Sequence, residues 1–258
     1  MRMMRNLLLI LSILLVTIGL VVVAGVAYVR HDNVYRVQRA DSLVRNVRQL
    51  AIGKSDYTVA EAIATKFGNA PPPYWTSDYP KENCAARDHL ESCAFIIAMN
   101  DSPIESLWLK HPFLPHLGIR DWRGSAVISV TNGTVNHYRF SVWYKSSNGQ
   151  WRGFGTGESE DLPKYERVQA RISDSYSVER NGTSETGFGL QSTLTPAATE
   201  PERWRASHFA FACLAQRQGC GEICEVMPDA WRDFYEKRGR FDVETSGSAY
   251  LFCSEPPK

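Results

Sequence analysis

The chain reads as an α+β protein: an N-terminal transmembrane helix, then a mainly antiparallel sheet of four to six strands flanked by helices at both ends. Three observations predict this. An uncharged apolar run fills residues 7–29, the middle of the chain is rich in Val, Ile and aromatic segments cut by Asn-Gly turns, and helical 3,4 spacing recurs on either side. The implied division is a flank over 1–6, a signal anchor over 7–29, a juxtamembrane helix over 30–52 and one α+β domain over 53–258.

Composition permits such a domain. Of 258 residues 43% are hydrophobic, and seven Trp, eleven Tyr and eleven Phe supply bulk for a core, which excludes a collagen-like or wholly disordered chain. The formal charge of +1 conceals an asymmetry: residues 1–50 carry seven Arg against two Asp, and the remainder is net acidic. No nucleic-acid partner is expected from that balance.

Leu7 to Val29 contains no charge, and its 23 residues form about 34 Å of helix, enough for a bilayer core. Arg2 and Arg5 with Gly25-Val26-Ala27 imitate a cleaved signal, yet signal cores run to only about 7–15 residues, so the run reads as an uncleaved anchor. Arg30, Arg36, Arg39, Arg45 and Arg48 would by simple count keep the domain in the cytoplasm. The short N-terminal flank and the cysteines argue the reverse. The expectation is an N-terminus in the cytoplasm and a domain on the extracytoplasmic side. Val37, Ala40, Val44, Val47 and Ala51 keep 3,4 spacing beyond the span, a seam that suits either a homodimer or docking on the chain's own domain. Expected partners are the lipid bilayer and an unknown protein, with a homodimer possible through this seam.

Gly53 ends the juxtamembrane helix. Thr58 with Glu61 makes a capping box for a short helix with an apolar face of Ala60, Ile63, Ala64 and Phe67, stopped by Gly68. Residues 53–68 loosely resemble the opening of small outer-membrane-assembly and β-lactamase-inhibitor-like modules, and no function is carried over. Pro71, Pro72 and Pro73 before Tyr74 and Trp75 predict an extended connector. Strands are expected at Ala94 to Met99, Ser125 to Thr131, Thr134 to Lys145, Gln150 to Phe154, Arg167 to Ser173 and Gly187 to Thr195, as a meander. Asn132-Gly133 and Asn148-Gly149 are its turns, the first of type I′. In the third segment Asn136, Tyr138, Phe140, Val142 and Tyr144 form the expected core face. A C-terminal helix capped by Thr199 carries Trp204, His208, Phe211 or Ala212, and Ala215 at helical spacing. Pro228 opens another with Trp231, Phe234 and Tyr235, and Ser248 to Cys253 ends the pattern as a strand.

Chemistry-bearing residues are few. Cys84, Cys93, Cys213, Cys220, Cys224 and Cys253 are an even number, and in an exported domain they read as disulfide candidates, with Cys84 to Cys93 the most local. The competing reading is a zinc site from His208, Cys213, Cys220 and Cys224, whose spacing is poor. Asp88, His89 and Glu91 cluster without a recognisable nucleophile, and His111 and His116 are separated by prolines. Gly153 to Gly157 imitates a phosphate loop but lacks its lysine, so a flexible turn is expected, and no hydrolase or zinc-protease motif is present. Asn132 and Asn181 head glycosylation triplets. Trp108, Phe113, Leu114, Trp122, Trp143 and Trp151 are mostly expected in the core. No catalytic, cofactor or metal residue is assigned. The functional expectation is a single-pass anchored protein that binds or scaffolds in the cell envelope. The alternative is an anchored enzyme, which a pocket joining Asp88, His89 or Glu91 to His208 or His137 would favour.

Overall fold

The computed structural model describes residues 2–68, 84, 92–99, 122–146, 151–160, 168–180, 183–216 and 218–237. Several expectations fall outside these residues: the triple-proline connector, the Asp88–His89–Glu91 cluster, His111 and His116, the aromatics at 108, 113 and 114, the turn at 148–149, Asn181, Cys253 and its strand.

Helix α1 runs unbroken over Arg2–Val47, about 69 Å. Nothing divides it at position 29, because between Gly25 and Gly53 there is neither Gly nor Pro, and Asp32–Arg36 and Asp41–Arg45 bridge successive turns at 3.0 and 2.7 Å. It stops at Val47 rather than at 52. The Gln49 and Leu50 amides donate to the carbonyls of Asn46 and Val47, tightening the last turn and reversing the chain, so Leu50 and Ile52 enter the core while Ala51 of the predicted seam stays exposed.

Helix α2 spans Tyr57–Phe67 and buries Ala60, Ile63, Ala64 and Phe67, the face the spacing predicts. Its cap is not Thr58. The Asp56 carboxylate accepts from the Val59 amide at 3.1 Å and the Thr58 hydroxyl at 2.7 Å, so the helix begins one residue before the threonine. Those two donors hold the Asp56 carboxyl below its ordinary range.

Six strands form one sheet: β1 Ser92–Ala98, β2 Trp122–Thr131, β3 Thr134–Lys145, β4 Trp151–Ser159, β5 Val168–Arg180 and β6 Thr183–Leu194, in the order β1-β2-β3-β4-β6-β5. The first four are the expected antiparallel meander. β6 then inserts between β4 and β5 and runs parallel to β4, which departs from a simple meander. Asn132 and Gly133 both take positive φ (51° and 76°), as a type I′ turn requires, and β3 has the predicted ends. Pairing slips between Ser129 and Val130, leaving Asn136 as an extra residue. That bulge reverses the alternation, so Val135 is buried in place of Asn136, while Tyr138, Phe140, Val142 and Tyr144 keep the predicted face.

Beyond the sheet come α3 Glu200–Ala206, a 3₁₀ turn Phe211–Ala215, α4 Ile223–Val226 and α5 Pro228–Lys237. Thr199 and Glu202 form a reciprocal capping box as expected of Thr199. The long helix read from Trp204 to Ala215 is broken at Ser207. Trp204 is therefore exposed and stacks on His208 (centroids 4.3 Å apart), whereas Phe209 and Phe211 turn inward onto Phe154. The main core lies between one face of the sheet and a layer made of α1, α2, the 3₁₀ turn, α4 and α5.

Candidate functional site at the anchor junction

Burial divides α1 in two. Leu9 to Val23 face outward, with Leu14 55% and Val23 67% accessible, while Val29, Asn33, Val37, Ala40, Leu43, Val44 and Val47 are buried by the domain. The 3,4 seam of the sequence is thus occupied within the chain, and each buried Val or Leu contributes about 1.5–3 kcal/mol.

Asn33 is the polar member of that buried row and is 3% accessible. Its Nδ2 donates to the Leu214 carbonyl at 2.9 Å, and its Oδ1 accepts from Trp122 Nε1 at 3.0 Å. One side chain therefore joins the anchor helix to the sheet and to the 3₁₀ turn. Cys213–Cys220 (Cα separation 4.8 Å) staples the same turn to the following loop, and Cys84–Cys93 (5.0 Å) ties β1 to the segment before it. Cys224 is disulfide-bonded as well. With their thiols oxidised, Cys213, Cys220 and Cys224 cannot serve as zinc ligands, and His208 Nδ1 instead meets Asp229 at 2.6 Å, which overturns the zinc reading. Among the described residues no group of three metal-ligating side chains converges.

Two ion pairs lock the helical layer onto β4. Glu158, 1% accessible, takes Arg203 of α3 and the Tyr138 hydroxyl on one carboxylate oxygen. Arg152 Nε meets Glu222 at 2.6 Å ahead of α4. Burial first, and then the adjacent carboxylates, raise both Tyr138 and Tyr144 far above an ordinary phenol, so both stay neutral donors. The other Glu158 oxygen and the Thr156 hydroxyl are buried without a hydrogen-bond partner. This carboxylate is shielded from solvent and committed to Arg203 and the Tyr138 hydroxyl.

Gly153, Gly155 and Gly157 lie in β4, a paired inner strand and not the expected flexible turn. A Cβ at Gly153 would meet the Trp143 ring at 2.3 Å, so the glycine is required for that ring to lie on the strand. Trp122 and Trp151 are buried as expected, and Trp143 is half-buried. His137 stands on the sheet face opposite to Tyr138 and the core, and His208 stacks on Trp204 and meets Asp229, while the Asp88–His89–Glu91 cluster that the enzyme alternative requires lies outside the described residues.

Asn33, Arg152, Glu158, Arg203 and Glu222 escaped the sequence reading. Asn33 carried a signal, being four residues before Val37 in the seam's own register. Glu158 continues the alternation from Phe154 and Thr156.

No protein-family model matches the chain, and no curated protein and no solved structure is found to be similar to it.

Proposed function

We propose that this is a single-pass membrane protein with its N-terminus in the cytoplasm and its disulfide-supported domain on the extracytoplasmic side, where the domain binds or scaffolds a protein partner of the cell envelope. The observation that carries this reading is α1 itself: one helix whose first part is bare and apolar and whose second part is core. Exposed Leu, Ile and Val in such numbers are stable in lipid and costly in water. Continuity into the core argues for an anchor that is kept, since the helix passes through the cleavage-like Gly25-Val26-Ala27 without interruption. The oxidised cysteines favour an oxidising compartment. Each disulfide adds about 2–4 kcal/mol. Their role is support, which suits a rigid platform for binding. A self-contact has to use surface other than the seam, because the seam is filled.

Protease added to intact cells, to spheroplasts and to lysed spheroplasts, each with and without reductant, tests the topology. Digestion of the domain before lysis, made faster by reductant, is expected. A domain protected until lysis, with thiols that label without reductant, overturns the proposal.

A further inference from the structure

We infer that the domain is seated on the bilayer, with the surface around the junction of α1 and the 3₁₀ turn lying against the lipid headgroup layer; this rests on the anchor reading above. The argument is one of length. From Leu7, a hydrocarbon core of about 30 Å takes up about 20 residues of helix and ends near Val26. The domain begins to cover the helix at that level: Val26 is half-buried, and Val29 is 6% accessible. The apolar run and the docked segment overlap, so no spacer remains between lipid and domain. Nor can the domain swing away, because α1 is continuous and Asn33 is clamped on two sides.

The headgroup layer adds about 5–7 Å on each side of the core. What covers Val29, about 4–5 Å past the edge, lies inside that layer, and the 3₁₀ turn that receives Asn33, about 10 Å past the edge, lies just outside it. The exposed residues at this height suit the boundary: Tyr28 is an amphipathic ring, and Arg30 and His31 point at solvent where lipid phosphates would be. Among the described residues the Asn132-Gly133 turn with the start of α2 stands away from the junction, where Gly53 and Tyr57 pair with Val135 and Gly133 beyond the end of α1.

The test places a fluorophore on a single added cysteine in the full chain, in vesicles of phosphatidylcholine with phosphatidylglycerol. The described native cysteines are oxidised and leave the added one as the labelled thiol. Leu14→Cys reports the bare helix, Ala212→Cys the exposed flank of the 3₁₀ turn, and Val59→Cys the region away from the junction. All three side chains are exposed, so the fold tolerates the labels. Lipids carrying a nitroxide in the acyl chain are expected to quench position 14, and lipids carrying it on the headgroup to quench position 212 several-fold more than position 59. Equal headgroup quenching at 212 and 59, with position 14 still in the acyl layer, overturns the seating and spares the anchor. Absence of acyl-chain quenching at position 14 overturns both.

Discussion

The two parts of α1 are built from similar aliphatic residues and meet opposite surroundings. Residues 9–23 are uncharged on every side and bare, whereas residues 29–47 bury one apolar stripe and expose mostly polar side chains, Val34 and Tyr35 excepted. The difference teaches what assigns each its solvent. In the second part polar residues such as Arg30, His31, Gln38 and Arg45 take most outward positions, beside Val34 and Tyr35, so one stripe faces protein and most of the rest suits water. In the first part no outward position is charged, and the two exposed hydroxyls, Ser12 and Thr17, donate back to the Leu9 and Ile13 carbonyls, which leaves a surface that suits lipid on all faces.

A charge placed in each part separates the two environments most sharply. Val44→Asp is expected to cost more than about 4 kcal/mol and to leave the domain unfolded, since a carboxylate would sit unpaired in the core. Val16→Asp should leave the domain's thermal midpoint unchanged and instead weaken membrane insertion by about 2.5–3.5 kcal/mol. Thermal unfolding in detergent and fractionation in cells read the two effects separately.

Next in size is the ion pair at β4. Arg203→Met abandons Glu158 in the interior and should cost about 3–5 kcal/mol, measured by denaturant unfolding. Adding Glu158→Gln should recover most of that loss. No recovery would mean that Arg203 acts through packing alone.

Asn33→Ala removes the acceptor of the Trp122 indole N–H and the donor to the Leu214 carbonyl at the junction, at a cost of about 2–4 kcal/mol. Its distinctive sign is spatial. Amide hydrogen exchange should rise in residues 29–40 and in the 3₁₀ turn, while residues 9–23 in lipid stay protected.

The smallest effect is at α2. Because the folded-state carboxyl of Asp56 titrates below its unfolded value, its contribution is present above about pH 4 and is lost as pH falls through the lowered value. Asp56→Asn should therefore melt with less acid sensitivity than the parent between pH 5 and about pH 2.5. Identical profiles would remove Asp56 as the group responsible.

What could be read from the amino acids was local. β3 matches at both ends because Asn132-Gly133 dictates a tight turn with positive φ on two successive residues. The apolar face of α2 follows directly from its spacing. Competition between nearby caps was already harder: the Asp56 carboxylate prevails over the Thr58 hydroxyl, which becomes its donor. The helix read across Trp204 to Ala215 failed because aromatic spacing persists through the break at Ser207, sending Trp204 outward and Phe211 inward. Long-range partners left almost no trace. Arg203 meets Glu158 across 45 positions, Arg152 meets Glu222 across 70, and Asn33 meets Leu214 across 181. No periodicity encodes such pairings, nor the insertion of β6 between β4 and β5.

The most direct measurement is the intact mass of the protein recovered from membranes after an alkaline carbonate wash, taken before and after reduction and thiol alkylation. The account predicts a pellet-bound product that retains residues 1–30, with Cys84–Cys93 and Cys213–Cys220 linked until reductant is added. A soluble product beginning near Ala27 or Tyr28 would contradict it.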